Sequence, residues 1–254
     1  MDFKKHYWFI FVIFCSHNII AQVNYQIDYD MYYDTDFPMI REAKLYVNDG
    51  EDKSVFVEMF GTEKPFPNRQ SEDDESAVAK QKRNHPNDYY VVDNSTQEMY
   101  IVEDFYAEQY KINDTYFQRN WKIDYKKQKE IDGLMCHYAE ITFRGHKWEA
   151  WFTTEIPLPY GPWKLYGLPG LILETQNESN RYHFVVTKIS AVKEKFDLPD
   201  FSKIKEVSLK EFIEMNEEKI ENIFSIFDNE RDVEVIKQLP SKEDLMEYNY
   251  EWEK

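Results

Sequence analysis

Short segments rich in aromatic and β-branched residues, separated by turn residues, follow one another from residue 23 to residue 190. Runs of this length and spacing are typical of an antiparallel sheet and differ from alternating strand–helix units. The sequence therefore predicts a mainly β (α+β) fold, with a curved antiparallel sheet or half-open β-barrel. The predicted strands are Val23–Tyr32, Glu42–Tyr46, Ser54–Phe60, Tyr89–Asp93, Glu98–Val102, Tyr106–Tyr110, Trp121–Asp124, Leu134–Phe143, His146–Thr153, Leu171–Thr175 and Tyr182–Ser190.

The composition supports a folded chain that does not bind nucleic acid. Of the 254 residues, 42% are hydrophobic and 17% are aromatic, which is far above what disordered chains contain. The formal net charge of −17 is unfavourable for binding phosphate groups. Only seven glycines are present, so dinucleotide-binding loops are not expected either. The remaining functional classes are proteins that bind small molecules or other proteins, and hydrolases.

The amino terminus has the pattern of a secretory signal peptide, residues 1–21. Lys4 and Lys5 precede the apolar stretch Tyr7–Phe14, which is too short to span a bilayer. Ala21 supplies a small residue at the expected cleavage point. We therefore expect an exported protein, located in the periplasm, associated with the outer membrane, or secreted.

The remaining chain divides into two predicted parts. Residues 22–195 form a β-rich core, and the polar run at residues 61–88 is a predicted mobile loop within it. Residues 196–254 form a predicted helical extension whose helices cover one face of the sheet. Ser208 and Glu211 match a capping box at the start of the first of these helices.

A second short helix is predicted to start at Pro240–Asp244. Its signals are a proline followed by a serine and an acidic residue, which are common at helix starts. We expect both helices to pack on the sheet through their apolar residues.

Two dipeptides predict tight hairpins, Asp132-Gly133 and Arg144-Gly145. A two-residue turn at the second places Phe143 opposite His146, and the rest of the register follows from it. The predicted pairs are Ile141 with Trp148, Ala139 with Ala150, His137 with Phe152, Tyr138 with Trp151, Glu140 with Glu149, and Cys136 with Thr153. The first three pairs lie on an apolar face that is expected to be part of the core.

Glu140 and Glu149 lie directly opposite each other in this register. We favour a solvated face on which Arg144 and Lys147 neutralise them. The alternatives are a cation site, or the acid/base pair of a hydrolase that uses Glu140 and Glu149, or Glu155.

Five of the seven glycines and four of the ten prolines lie between residues 133 and 170. The prolines are expected to keep Ile156–Tyr160 extended. Gly161-Pro162 is expected to open one helical turn carrying Trp163 and Tyr166. The stretch Leu168–Leu171 matches a type II turn, in which Gly170 would supply the positive φ.

Residues 167–172 read Gly-Leu-Pro-Gly-Leu-Ile, and this region resembles the GLPGLI family of exported Bacteroidota proteins. The resemblance is dense over residues 130–175. It also includes the flanking residues 143–145, 150–153, 155–157 and 161–164. It implies an exported, β-rich protein and carries no catalytic residue over to this chain.

The segment around this motif has two interpretations. In the first, it is a rigid corner that buries its aromatic side chains, because glycine and proline most often serve the backbone conformation. In the functional interpretation, it forms the rim of an accessible concave site. The predicted binding residues of that site are Trp151, Trp163, Tyr166, Leu168, Pro169 and Gly170.

The function predicted from these patterns is that of a non-catalytic binding or carrier module. Its expected partner is an apolar ligand, a peptide or an envelope protein, with peripheral association to the outer membrane left open. No cofactor is expected. Besides the hydrolase, a metal-handling role for Cys136 with histidines remains an alternative, because a free thiol can bind a soft metal. The histidines lack the spacing of a metal-binding motif.

Overall fold

The computed structural model describes residues 23–36, 38–48, 50–67, 83–106, 108–115, 118–229 and 245–253, with only the backbone for 223–229. The predicted signal peptide and the predicted start of the second helix, Pro240–Asp244, lie outside these residues. So does the centre of the predicted loop. The two ends of that loop are strand residues, because one strand continues to Pro65 and the next begins at Asn87.

In the described residues, twelve strands form one open sheet, which confirms the mainly β fold. The strands are β1 (Asn24–Tyr33), β2 (Met39–Val47), β3 (Lys53–Pro65), β4 (Asn87–Asp93), β5 (Glu98–Phe105), β6 (Glu108–Asp114), β7 (Lys122–Ile131), β8 (Leu134–Phe143), β9 (His146–Thr153), β10 (Leu171–Asn177), β11 (Tyr182–Val192) and β12 (Lys205–Ser208). Their order across the sheet is β12-β6-β5-β4-β3-β2-β1-β11-β10-β9-β8-β7. All neighbours are antiparallel except β12, which pairs with β6 in parallel.

The sequence predicted the register of the hairpin from β8 to β9 correctly from the turn to the pair of His137 with Phe152; the predicted pair of Cys136 with Thr153 is not part of the observed ladder. Phe143 lies opposite His146, Ile141 opposite Trp148, and Glu140 opposite Glu149. Both residues of the turn, Arg144 and Gly145, have positive φ angles of 43° and 101°. This backbone matches the twist of the paired strands, which is why two-residue hairpins favour it.

One α-helix, α1 (Leu209–Asn229), follows the sheet within the described residues. The predicted capping box is present: the Glu211 backbone N–H donates to Ser208 Oγ at 3.2 Å, and the Ser208 N–H donates to Glu211 Oε2 at 2.7 Å. The preceding strand β12 was not predicted, because four residues with a single apolar side chain are too few to show a pattern. None of the described helices is long and apolar enough to cross a membrane.

The main core lies on one face of the sheet, which we call the core face. Trp148, Phe184 and Tyr29 are fully buried there. The Pro/Gly segment, residues 155–170, packs against them: the Trp163 and Trp148 ring centres are 5.5 Å apart. The Tyr29 hydroxyl donates to the Ile172 carbonyl at 2.6 Å. The protein thus fills much of the space over its core face with its own chain.

The opposite face carries a smaller cluster. Val55, Val57 and Val91 are buried there. The chain after β11 covers part of this face, since Phe196 stacks on Tyr46 with ring centres 4.0 Å apart.

Two turns of the Pro/Gly segment differ from the prediction. Gly170 does not have a positive φ, whereas Gly167 does, at 88°. Position 170 requires glycine for another reason, because a methyl group there would overlap the Thr153 carbonyl oxygen. Trp163 has a φ of 55°, and the Leu165 N–H donates to the Pro162 carbonyl at 3.1 Å. This is a reverse turn and not the predicted helical turn.

Candidate ligand-binding cavity

Most of the predicted binding residues lie in the core. Trp163, Tyr166 and Leu168 are 4%, 3% and 1% exposed, and Gly170 is buried as well. Their side chains fill the space between the Pro/Gly segment and the sheet. The expectation that they form an open aromatic rim is therefore corrected in favour of the rigid corner, because burying these rings removes their large apolar surface from water.

Trp151 cannot share a site with Trp163. Side chains alternate along β9, so Trp151 lies on the face opposite to Trp148, which contacts Trp163. Trp151 is half-buried and packs against Tyr138, with Lys129 Nζ 4.5 Å from its ring centre. Pro169 is exposed at the edge of the Pro/Gly segment.

A cavity of about 230 Å³ lies between the core face and α1. Strands β4, β5 and β6 form its floor, and Trp163 forms one wall. The C-terminal segment, residues 245–253, closes another side. The apolar and aromatic lining residues are Tyr90, Ile101, Ile112, Trp163, Leu209, Phe212, Ile213, Met246 and Tyr250, and the polar ones are Glu103, Lys164, Asn216 and Glu247.

Helix α1 lines the cavity with residues that are three or four positions apart in the sequence. Leu209, Phe212, Ile213 and Asn216 lie on one side of the helix and line the cavity. Phe212 packs edge-on against Phe105 of β5, with ring centres 5.2 Å apart. The apolar residues that the sequence assigned to sheet packing thus also enclose this space.

Three carboxylates lie in a row across the core face. Glu58 of β3 lies opposite Asp88 of β4. Tyr89 of β4 pairs with Val102 of β5. Because the two strands are antiparallel, the next position in this register places Asp88 opposite Glu103. An acidic side chain at a core-facing position of each strand is costly to bury unless it is paired.

Two arginines compensate the first two carboxylates. Arg41 forms an ion pair with Glu58, and Arg83 forms one with Asp88. Both guanidinium groups lie over the Phe60 ring, 3.9 and 3.6 Å from its centre. The Glu103 carboxylate, half-buried at the cavity, has no hydrogen bond or ion pair among the described residues.

Burial raises the pKa of Asp88 and of Glu103 in this row. Desolvation raises the pKa of Glu103 to about 7, with Lys164 opposing the shift and Glu58 adding to it. Desolvation also raises the pKa of Asp88 to about 8, with Glu103 adding to the shift. Carboxyl groups that titrate near neutral pH are concentrated at functional sites.

These shifts predict a pH-dependent stability. The pKa of Glu103 is higher in the folded than in the unfolded chain, so the folded protein binds more protons between about pH 4.5 and 7. Stability therefore falls as pH rises through this range. We expect Glu103→Gln to be more stable than the wild type at pH 8, by about 1–3 kcal/mol, and equally stable at pH 4.5. Urea unfolding at both pH values measures this difference; a variant that is less stable at pH 8 would contradict it.

A buried ionic network anchors the C-terminal segment. Arg144 donates to Asp114 Oδ2 at 2.8 Å and Oδ1 at 2.5 Å, and to Glu247 Oε1 at 2.7 Å. Lys164 Nζ lies 3.0 Å from Asp114 and 2.5 Å from Glu247. The Tyr248 hydroxyl also donates to the Gly145 carbonyl at 2.5 Å. The hairpin from β8 to β9 thereby holds one wall of the cavity in place.

Glu140 and Glu149 lie opposite each other, as predicted. A general acid must carry a proton before it reacts, and the surroundings of Glu140 do not favour its protonated form. Lys147 Nζ lies 2.8 Å from Glu140, and this contact lowers the pKa of Glu140. Arg144, which we expected to neutralise the pair, turns instead to Asp114. Glu155 accepts a hydrogen bond from the Met135 N–H at 2.9 Å.

Cys136 is buried, and desolvation raises the pKa of its thiol to about 11. The thiolate that a soft metal needs is thus disfavoured at neutral pH. The part of the chain that the structure describes contains no group of three or more His, Cys, Asp or Glu side chains placed to hold a metal ion.

Sequence reasoning did not identify the charged residues of the cavity. Glu103, Lys164 and Glu247 come from three distant parts of the chain. Glu103 alone had a local signal, because it continues the core-facing positions of Met99 and Ile101 along β5. A carboxylate at the next apolar position of a strand pattern is unusual enough to be noticed.

The fold is similar to that of part of a larger protein. Structures of PNGF-II in space groups P21 and C2 align with TM-scores of 0.52 and 0.51, at 17% and 16% identity. The alignments cover 77% and 76% of this chain, which spans about a third of the length of PNGF-II (33% and 32%). An uncharacterized conserved protein from Thermus thermophilus aligns at a TM-score of 0.41 and 8% identity, over 74% of this chain and 91% of that one.

The sequence comparison points to a family without an assigned activity. Residues 53–174, slightly under half of the chain, match the family model described as "Protein of unknown function (Porph_ging)". The matched region runs from β3 to the middle of β10 and includes the whole Pro/Gly segment. The curated proteins contain no match to the sequence.

Proposed function

We propose that this chain is an exported, non-catalytic binding module of the cell envelope that holds a small, mainly apolar ligand in the cavity beneath α1. The observation that carries this proposal is the cavity itself, which has apolar and aromatic walls and a few charged groups. Small-molecule sites commonly combine these two features. The amino-terminal signal pattern and the resemblance to the GLPGLI family support export.

The size of the cavity limits the ligand. Its volume of about 230 Å³ equals the space of roughly eight water-sized groups. The Pro/Gly segment occupies the rest of the space over the core face, so a long acyl chain does not fit without movement of α1. The proposal therefore favours a ligand of roughly eight non-hydrogen atoms over a membrane lipid.

The wall formed by α1 is the one that ligand exchange would displace. Only Leu209 and Phe212 of its described side chains are buried. The C-terminal segment on the other side is held by the ion pairs of Arg144 and Lys164. We therefore place ligand entry between α1 and the sheet.

Filling the cavity is expected to prevent binding. In Ile213→Trp, the larger side chain on α1 would occupy the space that a ligand needs. We expect 1-heptanol, a probe with eight non-hydrogen atoms, to bind the wild type and to bind this variant at least tenfold more weakly, a difference of about 1.4 kcal/mol. Isothermal titration calorimetry measures both affinities.

Met135→Trp is the matched control, because Met135 is exposed on β8, away from the cavity. It should bind 1-heptanol like the wild type. Equal binding by Ile213→Trp, or no binding of 1-heptanol by the wild type up to its solubility limit, would overturn the proposed function.

A further inference from the structure

We infer that the ligand of this cavity carries a protonated amine, which binds the carboxylate of Glu103 while its apolar part contacts the aromatic walls. This inference rests on the proposed function and adds the chemical class of the ligand. It follows from the charges that line the cavity, from the aromatic rings around them, and from the burial of Glu103.

Among the described residues, Glu103 is the carboxylate of the cavity lining that forms no ion pair or hydrogen bond, although the charges of Lys164 and Arg83 act to lower its pKa. Glu247 has Lys164 Nζ at 2.5 Å and Arg144 at 2.7 Å. Lys164, the cation of the cavity lining, is itself shared between Glu247 and Asp114. No described side chain donates to Glu103, so a donor from the ligand would meet an unsatisfied acceptor.

The charged groups around the cavity carry a small net negative charge when all of them are ionised. Arg119, Arg144 and Lys164 face three carboxylates, Asp114, Glu247 and Glu251. On the other side of Glu103, Glu58 and Asp88 each form an ion pair with an arginine, and Asp88, whose pKa is raised to about 8, is fully ionised only above that pH. Glu103 then adds one further negative charge. A cation is therefore favoured over an anion at this position.

Aromatic rings border the same space. Tyr90, Trp163 and Tyr250 line the cavity. Aromatic faces attract ammonium groups, and the attraction is larger where water is excluded. A carboxylate beside such rings is suited to a primary amine with an apolar body, and a ligand carboxylate would meet repulsion from Glu103.

The burial of Glu103 links ligand binding to pH. An ammonium group binds the ionised form of the carboxylate, whose pKa desolvation raises to about 7. Amine affinity should therefore rise between pH 6 and pH 8, since the free protein must otherwise release the proton from Glu103 on binding. The titratable and charged groups facing Glu103 are Glu58, Arg83, Asp88, Tyr90, Lys164 and Glu247. Of these, Asp88 has its pKa raised to about 8 and also becomes more ionised as the pH rises from 6 to 8.

Three probes of seven carbon atoms each test the inference: heptylamine, 1-heptanol and heptanoate. At pH 8 the amine is protonated. We expect wild-type protein to bind heptylamine at least tenfold more tightly than 1-heptanol, and heptanoate most weakly. In Glu103→Gln, heptylamine should fall to the affinity of 1-heptanol, while 1-heptanol keeps its own affinity. Calorimetric titrations measure each value.

Glu140→Gln is the matched control, because it removes a carboxylate from β8 on the face opposite to the core. This variant should keep the tenfold preference for the amine. Equal binding of heptylamine and 1-heptanol by the wild type, or a preference that survives in Glu103→Gln, would overturn the inference and leave the proposed function standing. A preference for heptanoate would overturn it as well and assign the anchoring role to Lys164. If no probe binds at all, the proposed function fails together with it.

Discussion

Arg144→Met should destabilise the protein by about 3–5 kcal/mol, the loss that follows removal of one partner from a buried ion pair. The Arg144 and Asp114 side chains are 1% and 0% exposed. Arg144 donates two hydrogen bonds to Asp114, and methionine fills similar space without donating any. Of the ion pairs that Asp114 forms with described side chains, the one with Lys164 would then remain, and Glu247 would lose its pair with Arg144. This loss is a large part of the roughly 5–15 kcal/mol typical of a folded domain.

Urea unfolding at pH 7 measures the effect. Lys147→Met, on the same hairpin, is the control, since Lys147 is 47% exposed and forms a surface ion pair with Glu140. Surface pairs of this kind contribute little, so the control should unfold close to the wild type. The double variant Arg144→Met/Asp114→Leu should recover part of the loss because no unpaired carboxylate remains. A single variant as stable as the control would show that the network does not stabilise the C-terminal segment.

The same network predicts how acid affects the protein. Asp114 has its pKa well below the ordinary value, because Lys164 and Arg144 compensate its burial. Its contribution to stability is therefore present above the pKa of an unfolded aspartate and is lost as pH falls below it. Arg144→Met should reduce this acid sensitivity, while Lys164 continues to lower the pKa of Asp114.

Gly170→Ala is expected to cost more than about 3 kcal/mol, beyond the usual range for an added methyl group in a packed site. The new methyl group would overlap the Thr153 carbonyl oxygen and lie 2.7 Å from the Thr153 carbonyl carbon. Both are backbone atoms at the end of β9, which cannot rotate away as a side chain can. Strand β10 begins at the next residue, so relief of the overlap would displace the start of that strand.

Gly50→Ala is the matched control. Gly50 has a φ of 72°, and a methyl group there meets nothing within 4 Å. It should cost only the strain of a left-handed backbone, about 1–2 kcal/mol. Thermal unfolding of both variants separates the effect of atomic overlap from that of backbone strain. Equal losses of stability in the two variants would contradict the conclusion that position 170 requires glycine because of its close approach to the Thr153 carbonyl group.

Local patterns predicted the elements whose contacts are near in sequence. The turn Arg144-Gly145 sets the register of β8 against β9, since a two-residue loop leaves one alignment of the strands. The capping box of Ser208 and Glu211 marked the start of α1 for a similar reason, because its hydrogen bonds span three residues. These features need no knowledge of the remaining chain.

The site depends on contacts that no local pattern reports. Glu103, Lys164 and Glu247 meet because β5, the Pro/Gly segment and the C-terminal segment converge over the core face. The sequence grouped Trp151 with Trp163 by their nearness along the chain, whereas strand alternation and the reverse turn at Pro162 place them on opposite faces. The partners of Arg144 were likewise mispredicted, because Asp114 lies 30 residues away on a strand that borders α1.

For this protein, composition and short-range spacing are enough to establish a mainly β chain, its tightest hairpins and the helix start, because turn geometry and side-chain alternation act over a few residues. The tertiary structure decides which side of the sheet is filled and by what. Burial drives Trp163, Tyr166 and Leu168 into the core, and the space that remains beneath α1 becomes the candidate site. The charge of that site is decided there as well, since only the folded chain shows that Glu247 pairs with Lys164 and Arg144, whereas Glu103 forms no ion pair with any described residue.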